Sequence, residues 1–431
     1  MKLPIVLLLC FVSCAASGKN WALLFTGANG WFNYSTHSNL CHAYQVLHKA
    51  GIPDERIVVI MYNDIADDPQ NPFPGKLFNS YNHTDVYKGT PLTYTGKEVM
   101  TDVVLAALKG DKEAVKKLIG REGKVIDSGP EDNIFVAVSD HGGPGSLLMP
   151  DRLMTAKELN GALREMHAKK KFANLIFYLE SCESGSMFED LPKDLNIYAI
   201  TASDADHPAY MNYCEDPEIK EVCIGGEFST AWTENSDKVD ISTFTFRQQS
   251  VAIKKGVNSS HPQMFGDLSL LNRPLKDFFG GKASSDQMTL TPTSQISNSD
   301  RAPFATMHLK QLQRQVHKNP TDLKLRLQLA RIQAIMADID RYFVQVARHV
   351  YPQENIHSIT ESSAEKIRNW DCYDAALKAV SASCPGLLHS PKVQGYFLSR
   401  LSVLVNMCNR GTGPVVSEAV VAASELTELC Y

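Results

Sequence analysis

Read as a pattern of apolar and polar positions, the chain divides into two unlike parts. In the first, apolar runs of strand length cover residues 21–27, 56–62, 133–139, 174–180 and 196–202. Their apolarity is continuous, which predicts strands buried on both faces. Between them, apolar residues recur at helical spacing over 40–50, 99–108, 112–119 and 155–171. The first of these stops at Gly51, a natural helix end. Strands alternating with helices predict an α/β fold with a mostly parallel sheet flanked by helices. Residues 63–96, rich in Pro, Asn, Gly and Asp, predict a long loop. Over 280–305 Ser, Thr, Asn, Gln and Pro take over, which predicts a linker. Beyond it only helical periodicity remains, over 322–350, 364–382, 393–408 and 417–429. The expected organisation is a leader (1–17), an α/β domain (18–281), a linker (282–320) and an all-α domain (321–431).

Two of the strands end on chemistry. One runs into Ser139-Asp140-His141-Gly142-Gly143, the other into Glu180-Ser181-Cys182-Glu183-Ser184-Gly185. In open α/β sheets the functional crevice lies at the carboxyl ends of the strands. His141 and Cys182 are therefore expected in one crevice. A thiol needs a base or a cationic neighbour to act as a nucleophile at mild pH. Either residue alone reads more simply as a core or structural group. The pair, each with glycine beyond it, reads as a Cys–His hydrolase.

Composition narrows the setting. A length of 431 residues favours two domains, and 44% apolar residues suffice for a real core. The net charge of −5 gives no basic excess for nucleic acid, and no basic amphipathic stretch points to a membrane. Lys2, the apolar run 3–12 and small residues up to Gly18 predict a cleaved secretory leader, too short to span a bilayer. Ten cysteines less Cys10 and Cys14 in that leader leave eight. In an oxidising compartment most should pair. Cys214 and Cys223 can close a short loop. Cys372, Cys384, Cys408 and Cys430 would make two bridges of open connectivity. Cys41, in a helical pattern, and Cys182 are left as thiols.

Several motifs in order resemble the legumain family of caspase-like cysteine peptidases. They are Asn29-Gly30-Trp31-Phe32-Asn33-Tyr34, Cys41-His42-Ala43-Tyr44-Gln45, Gly51-Ile52-Pro53-Asp54, Asn71-Pro72-Phe73-Pro74-Gly75, Asp140-His141-Gly142 and the Cys182 segment through Met187. The resemblance spans nearly the whole chain after the leader. It implies a caspase-like sheet domain and a disulfide-stapled helical prodomain that covers the active site of a zymogen. It implies Cys182 as nucleophile, His141 as general acid/base and Asn33 as the residue orienting it. The Cys182 and Gly142 amides would form the oxyanion hole, a contribution of about 3 kcal/mol per donor. Substrates would be proteins and peptides. Cystatin-type proteins are possible inhibitors, and the setting is a lysosome, a vacuole or the outside of the cell.

The family cleaves after Asn through a zwitterionic S1 pocket, and there this chain departs from the pattern. Glu180 is kept. The family's Arg position is Ser35, Gly226 stands where an Asp is expected with Glu227 beside it, and Pro208-Ala209 replace a Ser-Ser pair. An amide both donates and accepts, so the loss of Arg and Asp together puts Asn specificity in question. Glu180, without the Arg, should gain proton affinity. The alternatives are a peptide ligase using the same thioester and a catalytically silent binding protein.

Lesser signals add little. Asn82 and Asn258 open glycosylation sequons; Asn33 formally does too, but a glycan there would block the site. Lys109-Gly110-Asp111 reads as a turn between helices, Asp140 equally as a loop-capping carboxylate, and His42 and His48 as structural. Asn298 is a candidate activation site within 284–320, whereas Asn319 precedes Pro320. No metal-ligand spacing and no phosphate loop is evident, so no metal or cofactor is expected.

Overall fold

The computed structural model describes residues 18–281, 300–411 and 413–430. The leader and Asn298 lie outside these residues. The strands in chain order are β1 Asn20–Phe25, β2 Ile57–Ile60, β3 Asn133–Ser139, the short β4 Gly142–Gly143, β5 Ser146–Leu147 and β6 Met154–Thr155, then β7 Asn174–Glu180, β8 Ile197–Thr201, β9 Tyr210–Asn212, β10 Gly225–Gly226, β11 Gln263–Gly266 and β12 Ala302–Pro303. The helices of the first part are α1 Tyr34–Lys49, α2 Thr101–Lys109, α3 Lys112–Ile119, α4 Ala156–Ala168, α5 Glu227–Lys238, α6 Phe246–Gly256 and α7 Lys276–Phe279. Then follow α8 Met307–Lys318, α9 Leu323–Val350, α10 His357–Thr360, α11 Trp370–Ser383, α12 Pro385–Leu388, α13 Gln394–Ser399, α14 Ser402–Cys408 and α15 Gly413–Ser424.

Six strands form the central sheet in the order β11-β8-β7-β3-β1-β2. All pairs are parallel except β11 against β8. The expected α/β architecture is borne out. Along β3, Phe135 and Ala137 enter one apolar cluster while Ile134, Val136 and Val138 enter another. Successive side chains point to opposite faces and both faces are covered, which is why the run is apolar throughout.

Three parts differ from the pattern reading. Helix α1 begins at Tyr34, six residues before the apolar periodicity does. Its first turns are polar but buried: Ser35, Ser38, Asn39 and His42 repeat at one-face spacing. Residues 227–266 form two helices and the edge strand β11, unforeseen from the apolar pattern. A Thr245–Gln248 capping box marks the start of α6. Helix α8 lies inside the predicted linker, because its mostly polar sequence buries only one narrow face.

The C-terminal helices bury their own core, with Ile339, Phe343, Leu377, Phe397 and Val420 in one cluster that also takes in Leu148 and Leu153 of the sheet domain. Two disulfides, Cys372–Cys408 and Cys384–Cys430, staple it, and Cys214–Cys223 closes a loop beside the sheet. Cys41 and Cys182 are buried thiols. No helix among the described residues is long and apolar enough to cross a membrane.

Candidate active site

Register brings the two reactive strand ends together. Ser139 of β3 pairs with Glu180 of β7, and the Asp140 amide donates to the Glu180 carbonyl at 2.9 Å. His141 and Cys182 each lie two residues further on, so they leave the sheet level with one another on adjacent strands. Asp140 fastens this corner. One carboxylate oxygen accepts from the Gly27 amide at 2.5 Å, the other from the His141 amide at 2.7 Å. Burial pushes its carboxyl up to about 8, against the pull of these amides. The loop reading of Asp140 is the one the geometry supports: it ties the β1 loop to the His141 loop.

That tie matters because the β1 loop leads to Asn33. The Asn33 amide nitrogen donates to the Asn29 carbonyl at 2.5 Å, which aims its oxygen outward. That oxygen lies 2.8 Å from His141 Nε2. The network therefore assigns the ring proton to Nε2 and leaves the Nδ1 lone pair available. Nδ1 is buried and has no hydrogen-bond partner. Gly142 passes so close to the Cys182 segment that a Cβ there would stand 2.7 Å from the Cys182 carbonyl oxygen. Only glycine fits.

The site is roofed. Residues 300–305 run along the crevice, and β12 pairs antiparallel with β9 through Ala302 with Met211 and Pro303 with Tyr210. The Phe304 amide donates to the Ala209 carbonyl at 2.9 Å. The Phe304 ring stacks on His141 with centroids 4.4 Å apart. The Ala209 and Ala305 amides lie near enough to Cys182 to pull its thiol down against burial. Helix α13 closes over this: a Cβ on Gly395 would stand 2.8 Å from both His141 Nδ1 and the Ala305 Cα, and one on Gly143 would stand 2.5 Å from the Leu398 carbonyl. Tyr373 of α11 donates to the Pro144 carbonyl at 2.7 Å.

Burial under this roof sets the ionisation. It pushes the Cys182 thiol well up, and the Glu183 charge adds to that against the two amides. It pulls His141 down to about 3. A neutral thiol beside a neutral imidazole is the inert form of such a pair, since the thiolate is the nucleophile.

The expected S1 residues are placed as follows. Glu180 Oε2 accepts the Ser229 amide at 2.6 Å, while Oε1 is buried without a partner. Burial raises its carboxyl to about 7. A Cβ on Gly226 would run directly onto Glu180 Oε2. Ser35 is buried in α1, its hydroxyl without a partner. Ala209 lies at the sulfur, with Pro208 before it. Glu227 turns elsewhere: its carboxylate takes the amides of Asn258 (2.7 Å), Ser259 (3.2 Å) and Ser260 (2.8 Å). Asn39 went unnoticed in the sequence. Its amide bridges Ser139 Oγ at 2.9 Å and the Gly226 amide at 3.1 Å. The signal was the polar stripe on α1.

Elsewhere, His42 bridges Asn79 and Asp237 at 2.8 and 2.9 Å. Asn82 and Asn258 are exposed. Gly110, at φ +73°, ends α2, and Asp111 caps α3, as a connecting turn requires. The absence of metal-ligand spacing missed one surface group: Asp204, His207 and His261 offer ligand atoms within 4.8 Å of one another.

Residues 20–316 match the peptidase C13 family. The chain is 35% identical to human legumain over 405 residues, covering 91% of this chain and 90% of the relative. It is 36% identical to the vacuolar-processing enzyme delta-isozyme of Arabidopsis thaliana over 423 residues (92% and 88%) and 36% identical to the hemoglobinase of Schistosoma japonicum over 401 residues (91% and 89%). Among solved structures, caspase-1 from Spodoptera frugiperda aligns with a TM-score of 0.37 at 12% identity, covering 63% of this chain and 92% of that one. That likeness is too remote to add to the argument. With the thiol and the imidazole at level strand ends and most of its length aligned, the chain belongs to the peptidase C13 family of cysteine endopeptidases.

Proposed function

We propose that this protein is a secretory-route endopeptidase held latent by its own C-terminal helices, acting through Cys182 and His141. The observation that carries the reading is the roof itself: Phe304, Ala305 and Gly395 of α13 stand against His141 and Cys182. Once the roof leaves, His141 takes the thiol proton at Nδ1, and Asn33 holds the imidazole from the other side. The sulfur attacks the scissile carbonyl. The oxyanion is received by the Cys182 and Gly142 amides. The amine leaves with the proton from His141, and water hydrolyses the thioester. The boundary between enzyme and inhibitory tail falls within 282–320, and acid conditions of a lysosomal, vacuolar or extracellular compartment release it. Cystatin-type proteins fit as inhibitors of the opened crevice.

The P1 preference is set by Glu180. Below about pH 7 its carboxyl is neutral and both donates and accepts. It can therefore meet a side-chain amide without the family's Arg. With Ser35 and Gly226 leaving space, the pocket takes Asn but is not confined to it. The test is cleavage of a P1-varied peptide library by acid-treated protein, with Cys182→Ala as the blank. Cysteine-dependent cleavage spread over several neutral P1 residues is expected. Strict cleavage after Asn would refute the broadened pocket, and no cleavage from opened protein would refute the enzyme reading.

A further inference from the structure

Within residues 300–305, Ala302 and Pro303 lie in the crevice as a short strand added to the edge of β9, followed by a 3-10 turn at Phe304–Thr306. Main-chain pairing of this kind leaves the side chains to select partners. One side chain finds a built site. Arg301 Nε lies 3.2 Å from Glu227 Oε1, with both side chains all but excluded from water, at 6% and 2% exposure. Glu227 does not depend on that arginine to be held. It sits at the first position of α5, where a helix N-terminus favours an anion, and the three consecutive amides of residues 258–260 fix its oxygens. The carboxylate is thus positioned by the enzyme core, and the chain in the crevice supplies the cation.

We infer that Glu227 forms a substrate subsite for a basic side chain on the non-prime side, and that Arg301 occupies it in the latent protein. The inference rests on the peptidase reading above. Counting Phe304–Ala305 as the bond over Cys182, the subsite takes the P4 residue. An arginine brings a buried carboxylate a compensating charge that a neutral residue cannot supply. The neighbouring residue strengthens the assignment. Asp300 is received by the Cys214 and Glu215 amides, both at 2.8 Å, and by the Tyr81 hydroxyl at 2.5 Å. The two successive side chains that lead into β12 therefore meet two prepared sites of opposite sign.

The latent chain itself is not cut there because of what it offers the sulfur. The Ala305 amide lies near Cys182, and the Phe304 ring lies on His141. A substrate with Arg at P4 and a free path for its P1 side chain avoids both.

The test uses the full chain opened by acid. Peptides alike except for Arg, Lys, Met or Glu at P4 are compared by kcat/KM. Arg is expected to exceed Met by about 10-fold, Lys to fall between them and Glu to be poorest. In Glu227→Gln the Arg-to-Met ratio should approach one. Equal rates at P4 in the wild type would overturn the subsite. A second arm needs no catalysis. Labelled Asp-Arg-Ala-Pro-Phe-Ala is bound to acid-opened Cys182→Ala protein and compared with the same peptide carrying Met for Arg. Binding about 10-fold weaker for the Met peptide supports the subsite even if no peptide is ever cleaved, an outcome that would refute the peptidase reading alone. Equal binding, or none by either peptide, overturns it.

Discussion

Gly395 of the helical tail stands against His141 with no room for a methyl group between them. A Cβ there would come to 2.8 Å from Nδ1 and would also press on the Ala305 backbone. The tail thus reaches the imidazole because residue 395 has no side chain. Gly395→Val should wedge α13 away from the crevice. The expected outcome is peptidase activity at neutral pH without acid treatment, with the same kcat/KM as wild type once both are fully opened. A fluorogenic peptide assay before and after acid treatment checks it.

Asn33 fixes the His141 ring through a 2.8 Å contact, and its own amide is fixed by Asn29. Asn33→Ala removes the orienting acceptor but neither reacting group. A fall in kcat/KM of about 10²-fold is expected, short of the complete loss in Cys182→Ala. Single-turnover kinetics should show the fall in acylation, with the thermal midpoint little changed.

His308 of α8 packs edge-on against Phe32 of the sheet domain, ring centroids 4.2 Å apart. Burial, with a contribution from the Lys392 charge, lowers it from 6.5 to about 4. A depressed histidine favours the covered state fully above pH 6.5, and the contribution is lost as pH falls toward 4. From that shift the penalty on the covered state is about 2 kcal/mol at pH 5. His141, depressed to about 3, acts with the same sign. Glu183, raised to about 8 by burial and by Asp204 and Asp206, acts with the opposite sign. His308→Phe keeps an aromatic ring that cannot be protonated. Its midpoint for acid opening should move to lower pH, read as onset of activity against pH.

Glu180 gives the opened enzyme its own pH limit. With its carboxyl raised to about 7, hydrolysis of an Asn-P1 peptide should decline as pH rises through that value. Glu180→Gln should flatten this limb. Gly226→Asp, which would restore the family's acid, should inactivate rather than sharpen the pocket. Its Cβ would meet Glu180 Oε2 and come to 2.8 Å from Asn39 Nδ2, bringing a second carboxylate against the first. Pairing it with Ser35→Arg should recover part of the Asn cleavage.

The Cys384–Cys430 bridge spans 46 residues of the tail. Loop-closure entropy for that length amounts to about 4 kcal/mol at 25 °C. Cys384→Ser with Cys430→Ser should lower the denaturant midpoint of the tail and let the protein open nearer neutral pH. The opened enzyme should be unaffected.

The sequence by itself determined the sheet, the strand-end positions of Cys182 and His141, and the helical character of the tail. These follow from local signals: apolar runs of strand length, glycines at strand ends, periodicity in the tail. The free thiols Cys41 and Cys182 followed from counting, whereas the raised proton affinity of Glu180, expected from the missing arginine, comes from its burial. Tertiary structure decided which cysteines of the tail pair and what stands on the reactive groups. Phe304, Ala305 and Gly395 are small or apolar residues with no chemistry of their own, and only the docking of a distant segment gives them a role. Helix α8 and the start of α1 were hidden because much of what they bury is polar: His308 and Gln311 in the one, Ser35, Ser38 and Asn39 in the other. Glu227 shows the same limit. Its neighbour Gly226 faces Glu180, while Glu227 faces residues 258–260 and Arg301. Which way a carboxylate turns at the start of a helix depends on the amides that wait for it, and those lie 31 to 33 residues away.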